Sequence, residues 1–337
     1  MTMLAYSMFR RNLALALLCA IGCGAPDARM PAEDATQPAE ALPPANRPSP
    51  EKDEWMRTLS NAGRWGADDE GGATNLLTDQ TRQAALALAR TGTVVSLMRP
   101  IALTEKSAAI AADGLPDGTP YYEMRLRRFA PDSRYAGFSS DVQEYAVHGA
   151  LLTHLDALCH DSYDGRYYND LPVEGNVDPE RGCAKMDVAA LGAGIVARGV
   201  LVDFPRLRGR ALERGDRFTP ADMDAWEQQT GVTVGPGDAV LLYTGLTGGS
   251  PDIGAGFDLS MMPWFKARDV ALIGSDGPNA DHQLSLSALG VPLLDNAELG
   301  ALAETSARLQ RWAFLLVIAP AAPRGATGAP VNPLAIF

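Results

Sequence analysis

The sequence IVARGVLVDF, residues 195–204, is the strongest β-strand candidate of the chain and decides its fold class. A run this rich in valine, leucine and isoleucine is typical of a strand buried on both faces of a sheet. Similar runs follow at 238–244 (DAVLLYT), 270–275 (VALIGS) and 312–319 (WAFLLVIA). Helices are predicted between them, and strands mixed with helices of this length indicate an α/β domain.

The segment TPAD at 219–222 has the residues of a helix start. Thr219 supplies an N-cap oxygen, Pro220 suits the first helical position, and Asp222 follows at the third. This helix is predicted to end near residue 229. The other predicted elements are a helix over 79–90 capped by Thr78, helices over 282–289 and 297–309, strands over 93–97 and 143–147, and an irregular segment over 104–140.

Length and charge narrow the class of protein. The chain has 337 residues, of which 46% are apolar and 21% charged, so it can bury a large core as one large or two average domains. The formal net charge is −12 and the pI is about 4.8. A nucleic-acid-binding protein needs a basic surface, so that class is excluded.

Residues 1–23 have the pattern of a signal peptide. Two arginines precede an apolar core over 12–22, which is too short for the ~20 residues of a membrane span. The sequence AIGC at 20–23 resembles a lipobox, with an ordinary secretory peptide as the alternative. We therefore expect an exported protein of the periplasm or cell envelope, attached to a membrane only through a lipidated Cys23.

Residues 24–50 are rich in proline, alanine and acidic residues. Such a stretch cannot bury enough apolar surface to offset its ordering entropy, so a disordered tether is predicted. The mature protein then contains two cysteines, Cys159 and Cys183. An exported protein can join them in a disulfide, and a buried thiol at each position is the alternative.

Three of the four histidines fall within HGALLTHLDALCH at 148–160. In an extended chain His148 and His160 would lie ~40 Å apart, so they can share a site only if the chain bends. A strand that ends at Asp156 and runs into a helical turn would gather His154, Asp156 and His160 around one point. Structural histidines are the alternative, and a thiol–imidazole dyad of Cys159 with His160 is disfavoured because adjacent residues on a strand point to opposite faces.

Imidazole and carboxylate together form a ligand set for Zn²⁺, Mn²⁺ or Fe²⁺. A catalytic site needs about three protein ligands and one open position. His282, in SDGPNADHQ at 275–283, is the candidate for a distant ligand, with Asp276, Asp281 and Asp295 as nearby carboxylates.

Three motifs stand out beside the histidines: THLDALCH (153–160), YDGRYYN (163–169) and WGADDEGGATNLLT (65–78). The first two resemble the cyclase family of metal-dependent hydrolases, which includes bacterial kynurenine formamidase and isatin hydrolase, and the third is similar to the N-terminal signature of that family. Coverage extends from about residue 55 to the C-terminus. Five further stretches match in order: IVARGVLVD (195–203), VGPGD (234–238), LIGSD (272–276), PLLDN (292–296) and GAPVNP (328–333).

The resemblance implies that residues 51–337 form a single catalytic domain with the swivelling β/β/α fold, assembled as a homodimer or homotetramer. It implies one divalent metal ion, Zn or Mn, with His154 and Asp156 as the surest ligands and a second ion as an alternative. His160 matches the catalytic histidine of the family, His282 a downstream metal-site histidine, and Asp295 a position where shorter members carry glutamate.

One departure concerns the first histidine of the motif HxGTHxD, whose position is Ala150 here. His148, two residues earlier, is the expected substitute. This departure favours one metal ion over two.

The expected reaction is the hydrolysis of a small amide, formamide, lactam or lactone, with a metal-activated water as the nucleophile. His160 would act as general base and then general acid. The alternatives are a non-catalytic metal- or ligand-binding envelope lipoprotein, and a cyclase or dehydratase that uses the same site. The candidate substrate-binding residues are Trp65, Asn75, Tyr163 and Asn169, with Tyr167, Tyr168 and Trp264 as further aromatic candidates.

Overall fold

The computed structural model describes residues 49–101, 122–128, 140–149, 151–246, 255–277 and 280–337. The predicted signal peptide, Cys23 and Ala150 lie outside the described residues, as does the predicted tether except for its last two residues. Within the described part, no helix is both long enough and apolar enough to cross a membrane.

Six α-helices and fifteen strands occur in the described ranges. The helices are α1 (Pro50–Thr58), α2 (Asp79–Leu86), α3 (Phe204–Arg208), α4 (Pro220–Thr230), α5 (Met261–Arg268) and α6 (Gly300–Leu309). The strands are β1 (Val94–Ser96), β2 (Tyr122–Arg128), β3 (Ser140–Tyr145), β4 (His154–Asp156), β5 (Val177–Asp178), β6 (Gly182–Cys183), β7 (Ile195–Asp203), β8 (Arg217–Phe218), β9 (Ala239–Tyr243), β10 (Gly256–Phe257), β11 (Leu272–Ser275), β12 (Leu293–Asp295), β13 (Ala313–Ile318), β14 (Gly328–Pro330) and β15 (Leu334–Ile336).

A mixed sheet forms the centre of the domain. Across the described strands its order is β1-β15-β13-β7-β9-β11-β12-β4-β14. The strands β7, β9, β11 and β12 run parallel to one another, and the flanking pairs are antiparallel. The predicted apolar runs supply the parallel centre, where almost every residue is buried. The predicted α/β domain is confirmed.

The predicted helix starts are confirmed by their caps. The Thr219 side chain accepts from the backbone N–H of Asp222, whose carboxylate accepts from the Thr219 N–H in return, forming a capping box. The Thr78 side chain accepts from the Thr81 N–H at the start of α2. The α4 helix ends at Gly231, whose left-handed φ of 71° is adopted most readily by glycine.

Three local predictions need correction. The segment 104–140 is not irregular throughout, because β2 pairs with β3 as an antiparallel ribbon. The strand predicted over 143–147 lies earlier, at Ser140–Tyr145, where its hydrogen-bond partner is. The helix predicted over 282–289 is a π-helix over Gln283–Ala288, in which the Leu289 N–H donates to the Leu284 carbonyl five residues earlier.

Cys159 and Cys183 form a disulfide, with their Cα atoms 6.6 Å apart. Both side chains are buried. The bond joins the turn after β4 to β6. Of the two alternatives that the sequence leaves open, the structure has the disulfide and not two free thiols.

Candidate metal centre

Strand β4 supplies the central carboxylate and one imidazole of the candidate centre. It lies between β12 and β14, with His154 opposite Asp295 and Asp156 opposite Gly328 in the strand register. Leu155 points into the core. His154 and Asp156, two residues apart, therefore share the other face of the strand, and both are buried.

The turn after β4 brings His160 back toward the strand. The His160 N–H donates to the Ala157 carbonyl at 3.0 Å, which closes a turn directly after Asp156. The imidazole of His160 stacks on that of His148, with ring centroids 3.6 Å apart and planes 5° from parallel. The predicted strand-to-turn geometry is present, and a bend over 147–149 lets His148 meet the same cluster.

Each of three histidines has one ring nitrogen held by a neighbour and the other directed at Asp156. In His154, Nδ1 lies 2.9 Å from the Leu152 carbonyl, so Nδ1 donates and Nε2 faces Asp156 Oδ1 at 3.4 Å. His148 is held through Nε2 by Thr327 Oγ1 at 2.8 Å, which leaves Nδ1 3.0 Å from Asp156 Oδ1.

The third of these histidines, His282, lies just before the π-helix. Its Nδ1 is 3.1 Å from the Ala280 carbonyl, an acceptor that fixes the proton on Nδ1. Its Nε2 lies 3.1 Å from Asp295 Oδ2 and 3.5 Å from Asp156 Oδ2. Backbone or hydroxyl partners of this kind orient histidines that bind metals in proteins.

Asp156 joins two groups of potential metal ligands. One group is His148, His154 and Asp156, and the other is Asp156, His160 and His282, with the ligand atoms of each group within 4.8 Å of one another. Asp295, across the strand pair, adds a second carboxylate through its contact with His282.

The residues present fit a divalent cation. Both carboxylate oxygens of Asp156 and Nδ1 of His148 are buried without a hydrogen bond of acceptable geometry among the described residues. Buried anionic oxygens without partners are costly unless a cation or hydrogen bonds compensate them. Imidazole with carboxylate is the donor set of Zn²⁺, Mn²⁺ and Fe²⁺, so a metal ion is the partner that this cluster suits best.

The pKa values of His160 and His282, which form one ligand group with Asp156, shift in opposite directions. Burial lowers the pKa of His160 to about 3, with the neighbouring histidines adding to this and Asp156 opposing it. Burial also disfavours the charged form of His282, but Asp295 and Asp156 outweigh it and raise its pKa well above the usual value. Burial opposes ionisation of Asp156 too, yet His160 and His154 hold its pKa well below the usual range.

These shifts mean that His282 is protonated in the metal-free centre at ordinary pH. His160 stays neutral at ordinary pH because its pKa is about 3. A bound cation would take over the neutralisation of Asp156 and Asp295 and allow His282 to bind through Nε2 as a neutral ligand.

The other carboxylates near His282 lie outside the two ligand groups. Asp276 accepts from the N–H and hydroxyl of Thr244 and from the Gly245 N–H, and burial raises its pKa to about 6. Asp281 forms a buried ion pair with Lys52 at 2.8 Å.

The two predicted polar substrate-binding residues, Asn75 and Asn169, form hydrogen bonds within a loop. Asn169 accepts from the Gly63 N–H and donates to the Gly66 carbonyl. Asn75 is exposed and donates to Asp69 Oδ1 at 2.7 Å. Their role in substrate binding stays a prediction.

The aromatic candidates divide by burial. Tyr167 and Tyr168 belong to the core, while Trp65, Tyr163 and Trp264 are half-buried. Arg64 lies over the Trp65 ring at 4.6 Å. Tyr163 donates a hydrogen bond to Asp53 of α1, so its hydroxyl serves a contact between segments.

Two contributors to this region have different sequence signals. Thr327, which holds His148, has none, since its role depends on the distant pairing of β14 with β4. Helix α1 has one: Ser49 caps it, Pro50 takes the first turn, and acidic residues follow, which is the pattern of a helix start.

Comparison with known proteins gives a family match and a fold match. A family model described as "Putative cyclase" matches residues 107–282, just over half of the chain. A solved structure described as a novel cyclase is 28% identical, with a TM-score of 0.72, and the match covers 84% of this chain and 99% of that one. No curated protein matches the chain.

A more distant solved structure is isatin hydrolase A from Labrenzia aggregata, bound to benzyl benzoate. It is 18% identical with a TM-score of 0.51, and the match covers 76% of this chain and 98% of that one. At this identity the likeness concerns the fold alone.

Proposed function

This chain belongs to the cyclase family, and on that premise we propose that it is a metal-dependent hydrolase of a small amide, formamide, lactam or lactone. The observation that carries the proposal is Asp156, which belongs to both groups of ligand residues and whose two buried oxygens have no hydrogen bond among the described residues. The name of the isatin hydrolase with a similar fold refers to a lactam, which is why lactams are among the proposed substrates.

The residues proposed to hold one divalent ion, Zn or Mn, are His154 and Asp156, with His148, His282 and Asp295 around them. When bound, such an ion supplies Lewis-acid chemistry, which lowers the pKa of a water and polarises a carbonyl oxygen. Asp156 provides the negative charge that retains the cation. The carbonyls of Leu152 and Ala280 keep the imidazoles of His154 and His282 in the tautomer that presents Nε2.

His160 is the proposed general base and general acid. Among the described residues no hydrogen bond engages its ring, and burial lowers its pKa, which keeps the ring in the neutral form that a general base starts from. Its nitrogen would take a proton from the attacking water and return it to the leaving nitrogen or oxygen. The stacked ring of His148 restricts its orientation.

We also propose that the protein works outside the cytoplasm, as the N-terminal sequence predicts. The Cys159–Cys183 disulfide supports this, because such bonds persist in oxidising compartments. A homodimer or homotetramer stays part of the proposal.

The test is a hydrolysis screen of the full chain reconstituted with Zn²⁺ or Mn²⁺, over an N-formyl aromatic amine, an isatin-like lactam and a lactone. We expect turnover of at least one of them, and a loss of about 10²- to 10⁴-fold in His160→Gln with the metal retained. Turnover retained in that variant would remove His160 from its role. Bound metal without turnover of any substrate would favour the binding-protein alternative.

A further inference from the structure

The first turn of α1 contacts two segments of the centre, the one that carries His160 and the one that carries His282. Lys52 Nζ lies 2.8 Å from Asp281 Oδ2, and Asp281 directly precedes His282. The next residue, Asp53, accepts a hydrogen bond from the hydroxyl of Tyr163, three residues after His160. Adjacent residues of one helix thus reach segments that are more than a hundred residues apart in sequence.

The Lys52–Asp281 pair is almost completely shielded from water. Lys52 is 1% exposed and Asp281 7%. Desolvation of two charges offsets most of their attraction, so a buried ion pair contributes little net stability compared with an apolar pair of the same size. What it does provide is a defined geometry, because the contact between Nζ and Oδ2 forms only when both side chains are in place.

Asp281 is fixed at both carboxylate oxygens. Oδ2 receives Lys52, and Oδ1 accepts from the Leu284 N–H at 2.8 Å, which begins the π-helix. The carbonyl of Ala280, one residue earlier, holds Nδ1 of His282. The anchored carboxylate therefore lies between the carbonyl that orients the His282 ring and the helix that follows it.

Two further hydrogen bonds join the same segments. Ser287 Oγ donates to the Asp161 carbonyl at 3.0 Å, and Gln283 Nε2 donates to the Ser162 carbonyl at 3.3 Å. Asp161 directly follows His160, and Gln283 directly follows His282. Helix α1 also packs against these segments, since Lys52 Nζ lies 6.0 Å from the centroid of the Tyr163 ring.

We propose that Lys52 is a positioning residue of the metal centre, whose ion pair with Asp281 fixes the segment that presents His282 to the cation. The inference rests on the proposed metal site and deepens it. It assigns a role in metal binding to the helix that immediately follows the predicted tether, a part of the chain that supplies no ligand itself.

The test uses Co²⁺ alone as the probe, titrated into the metal-free full chain and followed by its visible absorption. The variants are Lys52→Met, Asp281→Asn and the double variant. Lys185→Met is the matched control, because Lys185 forms a surface ion pair with the exposed Asp68. Thermal unfolding of each metal-free variant is measured in parallel.

Each single variant is expected to bind Co²⁺ about tenfold more weakly or worse, the usual effect of losing an outer partner of a metal ligand. The double variant removes both charges of the pair, so we expect it to unfold closer to the wild-type temperature than either single variant does. It should still bind Co²⁺ weakly and show an altered absorption spectrum, whereas Lys185→Met should match the wild type.

A double variant that binds Co²⁺ as the wild type does would overturn the positioning role, since the pair would then serve folding alone. Single variants with unchanged affinity would overturn it as well. Failure of the wild-type chain itself to bind Co²⁺ is a different result, because it would overturn the proposed metal site and this inference together.

Discussion

The imidazoles of His148 and His160 stack face to face, with centroids 3.6 Å apart, although twelve positions separate them in sequence. Two protonated rings at this distance would repel each other, and His148 is among the groups that lower the pKa of His160. His148 thus contacts the centre in two ways: its Nδ1 faces Asp156, and its ring adds to the lowering of the His160 pKa, of which burial is the main cause.

Loss of the Thr327 hydroxyl should weaken metal binding. Thr327 Oγ1 holds Nε2 of His148 and so directs Nδ1 toward Asp156. We expect Thr327→Val to reduce Zn²⁺ affinity by about 10- to 100-fold in a competition titration with a chelator. Thr230→Val, which removes a hydroxyl bound to the Trp226 carbonyl in α4, is the control and should leave affinity unchanged. Equal affinity in both variants would exclude His148 from the centre.

A methyl group at Gly328 should displace the imidazole of His148 by direct contact with its ring. A Cβ there would lie 2.9 Å from Cε1 of His148 and 2.7 Å from the Leu155 carbonyl oxygen. We expect Gly328→Ala to cost about 1–3 kcal/mol of unfolding free energy and to weaken Zn²⁺ binding. Gly235→Ala is the control, because a Cβ at Gly235 meets nothing within 4 Å. Wild-type affinity in Gly328→Ala would show that His148 is not held where the structure has it.

The fold class and the cluster of His154, Asp156 and His160 could be predicted because residues close in sequence determine them. The apolar runs at β7 and β9 admit only buried strands, and the Thr219 cap is complete within four residues. His154, Asp156 and His160 lie on one short strand and its turn, so spacing alone brings them together.

The positions of His148 and His282 depend on contacts between segments distant in sequence, which residue spacing does not predict. His148 reaches the centre through a bend, and His282, the fourth histidine, is a candidate ligand whose approach to the strand no sequence spacing predicts. The disulfide required the approach of β6 to the turn after β4. Asn169 has a left-handed backbone, with φ of 60°, and its side chain accepts from the Gly63 N–H, a contact between distant segments that the sequence does not predict.

The pH dependence of stability should separate two histidines in the metal-free protein. The folded-state pKa of His160 is about 3, below the ordinary 6.5, so between these values only the unfolded chain binds the proton. His160 therefore destabilises the fold increasingly as pH falls below 6.5. We expect His160→Gln to gain stability relative to the wild type over that range, measured by urea unfolding in EDTA from pH 7 to pH 4. A difference between the two proteins that does not vary with pH would contradict the neutral state of His160.

His282 should show the opposite sign. Its folded-state pKa is raised well above 6.5, so its contribution to stability is complete below pH 6.5 and is lost as pH rises through the folded value. In EDTA, the wild type should exceed His282→Gln in stability most at pH 6 and progressively less above it. A gap that widened as pH rises would show that Asp295 and Asp156 do not hold the proton on His282.

Reduction of the disulfide should lower stability without a change in the sheet. The bond closes a segment with a sequence separation of 24, for which the loss is about 3 kcal/mol. Urea unfolding with and without a thiol reductant measures it. The double variant Cys159→Ala/Cys183→Ala should already be destabilised and should not respond to the reductant, and a response would point to another reducible group.

The proposed function depends on the binding of a divalent metal ion by His154 and Asp156. Elemental mass spectrometry of the purified full chain, beside His154→Ala, measures that binding. We expect about one Zn or Mn per wild-type chain, since a folded site with these ligands binds its ion tightly, and loss of that ion in the variant. A wild-type chain without metal, even after reconstitution with both ions, would contradict the proposal, as would a variant that keeps its full metal content.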